Sequence, residues 1–190
     1  MLYFLSLNLQ FSSSAELLPA NNTQLQNSGS AVNYTELDTP LYQSGYLSYD
    51  KTLYKINADY HIYMGSDDKL YFATTESDYA ELTTETVTTV LEPVTATLTV
   101  TPNPAEIAVG GTATLTAALD SEYAGLTVES YTFSKKGDSE FTTYEEAGEK
   151  CTVTGAGAGT ETYQVTILVK TSSGEKFNLV SDGVSIKVTG

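Results

Sequence analysis

The sequence contains no arginine and no tryptophan, and it has one cysteine, Cys151, and one histidine, His61. A single cysteine excludes an intramolecular disulfide framework and a cysteine-rich zinc site. All nine basic residues are lysines, against 24 acidic residues, so the formal net charge is −15. A charge of this sign, without guanidinium groups to bind phosphates, argues against nucleic acid or an anionic membrane surface as a partner.

Long apolar runs are also missing. The sequence has no stretch of about 18 apolar residues, which excludes a membrane-spanning helix of ordinary length. Residues 1–11 contain no lysine and are interrupted by polar side chains, so they do not resemble a secretory signal. Apolar residues still make up 41% of the chain, which is enough to build a core and argues against a disordered polyanion.

The first residues alternate between apolar and polar side chains, which predicts a strand with one apolar face. Its apolar positions are Tyr3, Leu5, Leu7, Leu9 and Phe11. Two interpretations remain open: a strand of the chain's own sheet, or a strand that docks onto a neighbouring subunit. Residues 12–40 are rich in Ser, Asn, Gln and Thr and predict an extended arm. We expect an ordered arm of this length to follow a partner's surface.

A second alternating segment covers residues 53–64 and places Tyr54, Tyr60 and Ile62 on one face. The turn residues 65–68 and the apolar residues that follow predict a β-hairpin over residues 53–73. We expect the three named residues to pack this module or its oligomer. Residues 80–93 are rich in threonine without glycine, which predicts an extended connector that ends at a domain boundary near Pro93.

The second half, residues 94–190, contains about seven short alternating segments separated by turn signals. Strand patterns at this spacing predict a two-sheet sandwich. The predicted fold class is therefore all-β, with a β-rich module over residues 1–92 and a sandwich over residues 94–190.

Three segments of the second half resemble bacterial and phage immunoglobulin-like domains. These are residues 99–102 (TVTP), 107–116 (IAVGGTATLT) and 159–166 (GTETYQVT). The resemblance implies that Tyr163 pins the corner before its strand through its hydroxyl group. It also implies a place on phage virion proteins or bacterial surface adhesins. The chain departs from antibody domains because it lacks tryptophan and paired cysteines.

The remaining candidate residues fit structural roles better than catalytic or ligand-binding ones. His61 lies on a polar strand face without an identifiable nucleophile, and Cys151 alternates with Val153 as a core residue would. The segment 155–160 (GAGAGT) lacks the lysine of a phosphate loop and precedes a strand, which favours a turn. Asp67 and Asp68 in a turn leave a weak calcium site open, although the ligand spacing of an EF-hand is missing.

The function expected from these observations is structural, with no catalytic, cofactor or metal residues. Because an export signal is not visible, we expect a phage virion protein rather than an adhesin, most simply a capsid decoration or head fibre. Its partners would be virion protein subunits, and it could form a homo-oligomer. The alternative is a surface or tail-tip adhesin whose sandwich binds a host glycan or protein.

Overall fold

The computed structural model describes residues 23–25, 32–75, 77–120 and 123–190. These residues form an all-β fold with two helices of one turn each. The elements before the sandwich are β1 (Thr23–Leu25), β2 (Val32–Glu36), α1 (Pro40–Gln43), β3 (Tyr46–Tyr49), β4 (Thr52–Ile56), β5 (His61–Gly65), β6 (Leu70–Ala73), β7 (Ala80–Glu81), α2 (Val87–Val90) and β8 (Leu91–Pro93).

Two antiparallel sheets form this N-terminal module. The first has the order β1-β2-β5-β6-β7, and the second has the order β3-β4-β8. Apolar side chains from both sheets and from α2 meet in one core, in which Ile62 and Val90 are fully buried. The module is therefore a small two-layer unit with a core of its own.

Three predictions for this module need correction. Residues 53–64 are not one strand, because the chain turns between Asn57 and Tyr60 and sends β4 and β5 into different sheets. Only β5 and β6 form the predicted hairpin. The predicted arm contains β1 and β2, which pair with each other, and β2 also pairs with β5.

The segment 80–93 is not an extended connector. It contains β7, α2 and β8, and its apolar residues Leu82, Val87, Val90 and Leu91 are buried in the core of the module. β8 pairs with β4 as an edge strand of the second sheet. Burial of these four side chains stabilises the folded conformation of this segment. The prediction considered the threonines and not these apolar residues.

The remaining residues form the predicted sandwich. Its strands are β9 (Ala96–Thr101), β10 (Glu106–Ala108), β11 (Thr112–Leu119), β12 (Leu126–Lys135), β13 (Thr142–Ala147), β14 (Lys150–Gly155), β15 (Gly159–Thr171), β16 (Lys176–Val180) and β17 (Val184–Thr189). One sheet has the order β13-β14-β11-β9 and the other β10-β17-β15-β12, with β16 also paired to β15. This arrangement corresponds to the two-sheet order of immunoglobulin-type sandwiches.

The sandwich core follows the alternation of the sequence. Along β15, the side chains of Tyr163, Val165, Ile167 and Val169 are fully buried, while the residues between them are only half-buried. Each of these residues faces the opposite sheet, as expected for inward positions of a sandwich strand. The period-two pattern therefore predicts this core correctly.

The N-terminal module packs directly on one end of the sandwich. Leu41, Tyr46 and Leu53 belong to the same buried cluster as the sandwich core. The Tyr46 hydroxyl donates a hydrogen bond to the carbonyl oxygen of Ala124 at 2.9 Å, and the Lys55 ammonium lies 5.9 Å from the ring centroid of Tyr123. The two modules thus share apolar packing and are not separated by a flexible linker.

The register of the central strands defines the opposite end of the sandwich. Leu126, near the contact with Tyr46, pairs with Thr171, whereas Lys135 pairs with Tyr163. Because strands rise about 3.3 Å per residue, Lys135 lies roughly 30 Å along β12 from Leu126. Loops 136–141 and 156–158 therefore lie at the end remote from the N-terminal module.

Candidate interaction surface

The two faces of the first N-terminal sheet differ in chemistry. One face carries Ile62, Leu70 and Phe72, which pack in the core of the module. Side chains alternate along a strand, so the neighbouring residues Tyr63 and Tyr71 lie on the other face. They are directly paired across β5 and β6. This second face is the strongest candidate for an interaction surface.

Four tyrosines contact one another on that second face, which we call the tyrosine face (Tyr34, Tyr63, Tyr71 and Tyr79). The rings of Tyr34 and Tyr79 stack with centroids 4.2 Å apart and an interplanar angle of 5°. Tyr63 meets Tyr79 edge to face at 4.9 Å, and Tyr34 meets Tyr71 edge to face at 4.8 Å. Such contacts fix the rings as one aromatic surface.

Gly65 permits this arrangement. It lies opposite Tyr34 across β2 and β5. A Cβ atom at Gly65 would collide with a carboxylate oxygen of Asp67, and it would lie 2.6 Å from a ring carbon of Tyr71 and 3.1 Å from a methyl carbon of Val32. The missing side chain therefore lets the Tyr71 ring lie against the strand. The close approach, rather than an unusual backbone angle, explains why glycine suits this position.

Charged groups surround the aromatic rings. The Tyr71 hydroxyl donates to Asp67 at 2.9 Å, and Lys69 pairs with Glu81 at 2.8 Å. Burial, with help from the Asp67 carboxylate, raises the pKa of Tyr71 to about 12. Tyr71 therefore stays protonated at neutral pH and keeps its role as a hydrogen-bond donor.

Glu36 and His61 form a polar pair beside the tyrosine face, with Nδ1 2.8 Å from Oε1. Burial alone would raise the pKa of Glu36, but hydrogen bonds with His61 and Tyr42 lower it below its ordinary value. The Glu36 carboxylate is therefore charged at neutral pH. His61 is about half exposed, and its contact is a polar pair rather than a catalytic arrangement.

Three of the residues predicted from the sequence to serve assembly or attachment lie within the described part of the chain. Tyr54, Tyr60 and Ile62 all pack in the core of the N-terminal module, and Ile62 has no exposed surface. They were expected to pack the module or its oligomer, and their position in this core fits packing within the module. Tyr3, Leu5, Leu7, Leu9 and Phe11 lie outside the described residues.

The sequence contained a signal for the tyrosine face that our interpretation did not use. Alternation places Tyr63 on the face opposite Ile62, next to His61, and that face appeared merely polar. Tyr34 fell in the predicted arm, and Tyr79 followed the hairpin without a clear pattern. Their convergence depends on sheet order, in which β2 and β7 flank β5 and β6.

The structure also shows where Cys151, the segment 155–160 and Asp67 lie. Cys151 is fully buried in the sandwich core, as predicted, and burial raises the pKa of its thiol to about 11. The segment 155–160 contains the turn between β14 and β15, residues 156–158, also as predicted. Asp67 is engaged with Tyr71, and within the described ranges no group of three potential acidic, histidine or cysteine ligands could hold a metal ion.

A buried polar cluster lies at the remote end of the sandwich. The Lys135 ammonium donates to Glu161 at 3.0 Å and to the carbonyl oxygen of Thr142 at 2.6 Å. The Thr142 hydroxyl contacts both Glu161 and the Tyr163 hydroxyl, the latter at 2.5 Å. Tyr163 therefore anchors the start of β13 instead of the preceding corner, which corrects the expectation drawn from the resemblance.

Comparison with known proteins gives little information. No protein-family model matches the chain, and no curated protein matches it. Among solved structures, it is similar to a cohesin module from Clostridium perfringens ATCC13124 family 33 glycoside hydrolase, with 13% sequence identity and a TM-score of 0.32. The match covers 50% of this chain and 98% of that module. Similarity at this level does not indicate a shared function.

The helices contribute no membrane segment. In the part of the chain that the structure describes, no helix combines the length and apolarity needed to cross a bilayer.

Proposed function

We propose that this protein is a non-catalytic structural component of a phage particle, a capsid decoration or head fibre. The N-terminal module attaches it to protein subunits of the particle, and the immunoglobulin-like sandwich is displayed outward. Attachment uses main-chain and side-chain contacts of β-strands and involves no reaction.

The tyrosine face is the observation that carries this proposal. Tyrosine rings provide large contact areas at low entropic cost, and aromatic residues are enriched in protein interfaces. The four rings lie on the sheet face opposite the module's core. Tyr34, Tyr63 and Tyr79 are half-buried there and offer contact area, whereas Tyr71 is buried. A sheet face of this kind is suited to another protein surface, since small-molecule sites are typically concave.

The packing between the modules supports the display part of the proposal. Val94 is buried and donates its backbone N–H to the carbonyl oxygen of Leu53 at 2.9 Å. β8 ends at Pro93 and β9 begins at Ala96, so the chain passes from one module to the other within two residues. An anchored N-terminal module would therefore hold the sandwich in a fixed direction.

Copurification with phage particles tests the proposal. Particles from cells that carry the gene for this chain are purified, and its copy number is measured by quantitative mass spectrometry. We expect the unmodified chain to copurify and Tyr79→Ala, which removes the stacking partner of Tyr34, to reduce its copy number about tenfold or more. Tyr144→Ala is the matched control, because this exposed tyrosine lies on the sandwich.

Two results would contradict different parts of the proposal. Absence of the unmodified chain from particles would contradict the role in a virion. Equal copy numbers for Tyr79→Ala and the unmodified chain, with far-ultraviolet circular dichroism showing both folded, would contradict attachment through the tyrosine face. Deletion of residues 1–22 separately tests the attachment strand predicted at residues 3–11, for which we expect the copy number to fall.

A further inference from the structure

A shallow cleft of about 470 Å³ opens at the remote end of the sandwich. Its walls come from the loop before β13, the start of β13 and the turn after β14. The lining residues are Lys135, Glu140, Thr142, Thr143, Tyr144 and Ala156. The cleft is independent of the tyrosine face, because it lies on the other module and at its far end.

Phe141 forms an aromatic platform beside this cleft. Three adjacent carbons of its ring lie 2.5 to 2.6 Å from the position that a Cβ atom of Gly159 would occupy. Nearly equal distances to three ring atoms mean that one ring face lies over Gly159. The residue as a whole nevertheless keeps 36% of its surface exposed. Phe141 is not itself a lining residue, but it lies between two that are, Glu140 and Thr142, and its exposed part offers apolar surface to a ligand.

The backbone holds Phe141 in this position. Its carbonyl oxygen accepts hydrogen bonds from the N–H groups of Ala156 and Gly157, at 2.8 and 3.1 Å. The turn that makes these bonds belongs to the GAGAG segment noted in the sequence. Small residues at this turn bring the backbone close to Phe141 and leave the cleft open. The segment therefore seats an aromatic ring.

Tyr144 supplies a second exposed ring on the lining of the cleft. It keeps 38% of its surface exposed and meets the buried Tyr163 edge to face at 5.7 Å. The hydroxyl of Thr143 and the carboxylate of Glu140 add hydrogen-bonding groups. Exposed aromatic rings beside a polar cleft are suited to the alternating C–H and O–H surfaces of a sugar.

The charges of the cleft narrow the class of sugar. The Lys135 ammonium is already bound to the buried Glu161 carboxylate and to the carbonyl oxygen of Thr142. Glu140 is exposed and remains as a negative group. A sulfated or sialylated glycan would meet this carboxylate without a compensating cation. We propose that the cleft is a binding site for an uncharged oligosaccharide, with Phe141 and Tyr144 as its aromatic contacts.

Binding of the full-length chain to a glycan array tests the inference. The array carries neutral hexose and N-acetylhexosamine oligomers beside sulfated and sialylated glycans. We expect selective retention on neutral glycans. Phe141→Ala and Tyr144→Ala should each weaken binding about tenfold or more. Tyr79→Ala should leave it unchanged, so failure of this inference and failure of the attachment proposal are distinguishable.

A pair of glycine variants tests the geometry without removing a contact residue. Gly159→Ala places a methyl group against the Phe141 ring, whereas a Cβ atom at Gly157 has no heavy atom within 4 Å. We expect Gly159→Ala to weaken glycan binding about tenfold and Gly157→Ala to leave it unchanged, since only the first shifts the ring. If both variants remain folded and bind equally, Phe141 is not the platform.

Other outcomes are also decisive. Retention only on sulfated or sialylated glycans would overturn the assignment of an uncharged ligand. Absence of retention on any neutral glycan would overturn the site. Binding to protein-coated surfaces that Phe141→Ala abolishes, without any glycan binding, would reassign the cleft to a protein partner.

Discussion

Replacing Lys135 with methionine should destabilise the sandwich strongly, although Lys135 lies at its surface edge. Its ammonium is the cation bound to Glu161, whose side chain is only 1% exposed. Removal of one partner of a buried ion pair typically costs about 3–5 kcal/mol, because a charge remains buried without compensation. The Lys135 side chain is 20% exposed, so water reaches part of the site. We therefore expect a loss near the lower limit, about 3 kcal/mol.

Replacing the acidic partner of the pair should reduce the free energy of unfolding by less. Glu161→Gln keeps the shape of the side chain and one acceptor oxygen for Lys135, and the remaining ammonium is partly hydrated, so we expect about 1–2 kcal/mol. In the double variant, the cost should fall below the sum of the two single costs by about 1–3 kcal/mol, as for residues in direct contact. Urea unfolding monitored by tyrosine fluorescence measures all three, and the sequence has no tryptophan to mask the signal.

Lys187→Met provides a matched control. Its ammonium lies 3.3 Å from Glu106, but both side chains are about half exposed. Surface pairs of this kind contribute about 0–1 kcal/mol. If Lys135→Met costs no more than Lys187→Met, or if the two substitutions at Lys135 and Glu161 are additive, the buried pair does not act as described.

Three further predictions concern packing and protonation. Gly65→Ala should destabilise the N-terminal module by about 1–3 kcal/mol because the new methyl group meets the Tyr71 ring, and near-ultraviolet circular dichroism should show altered tyrosine packing; an unchanged spectrum and stability would contradict the close approach. Tyr46→Phe should cost about 1 kcal/mol in urea unfolding through loss of the hydrogen bond to Ala124, and no measurable change would show that the bond does not stabilise the junction. Cys151 should resist a thiol reagent at pH 8 until the chain unfolds, because its thiol is buried and protonated, and rapid labelling of the folded chain would refute the burial. Since the pKa of this thiol is raised from 9.0 to about 11, its contribution to the free energy of unfolding should fall as pH rises between these two values.

Alternation predicted the sandwich well because both of its sheets bury one face. The fully buried positions of β15 all fall on the apolar phase of the sequence. The same rule misassigned residues 53–64, since the apolar phase continues across the turn at Asn57. There, the Asn57 side-chain oxygen accepts a hydrogen bond from the backbone N–H of Asp59. The backbone carbonyl oxygen of Asn57 accepts one from the backbone N–H of Tyr60. This local turn chemistry is a competing signal.

The candidate surfaces were harder to predict than the core. Tyr34 and Tyr79 are 45 positions apart in the sequence, and only the sheet order brings their rings together. Phe141 lies over Gly159 through a contact between the loop before β13 and the first residue of β15. Periodicity describes which side of a strand a residue occupies, but it does not say which strands become neighbours. Both surfaces depend on that second kind of information.

The packed junction between the modules has a consequence for how several copies bind a ligand together. Tyr46, Leu53 and Val94 are all buried where the modules meet, so each copy holds the remote end of its sandwich at a set height and angle. If copies occupy regular positions on a particle, their clefts form an ordered array facing the same way. Simultaneous engagement of several sites raises overall affinity by roughly 10²–10⁴ without any new contact. Avidity of this kind would allow each single cleft to bind its ligand weakly.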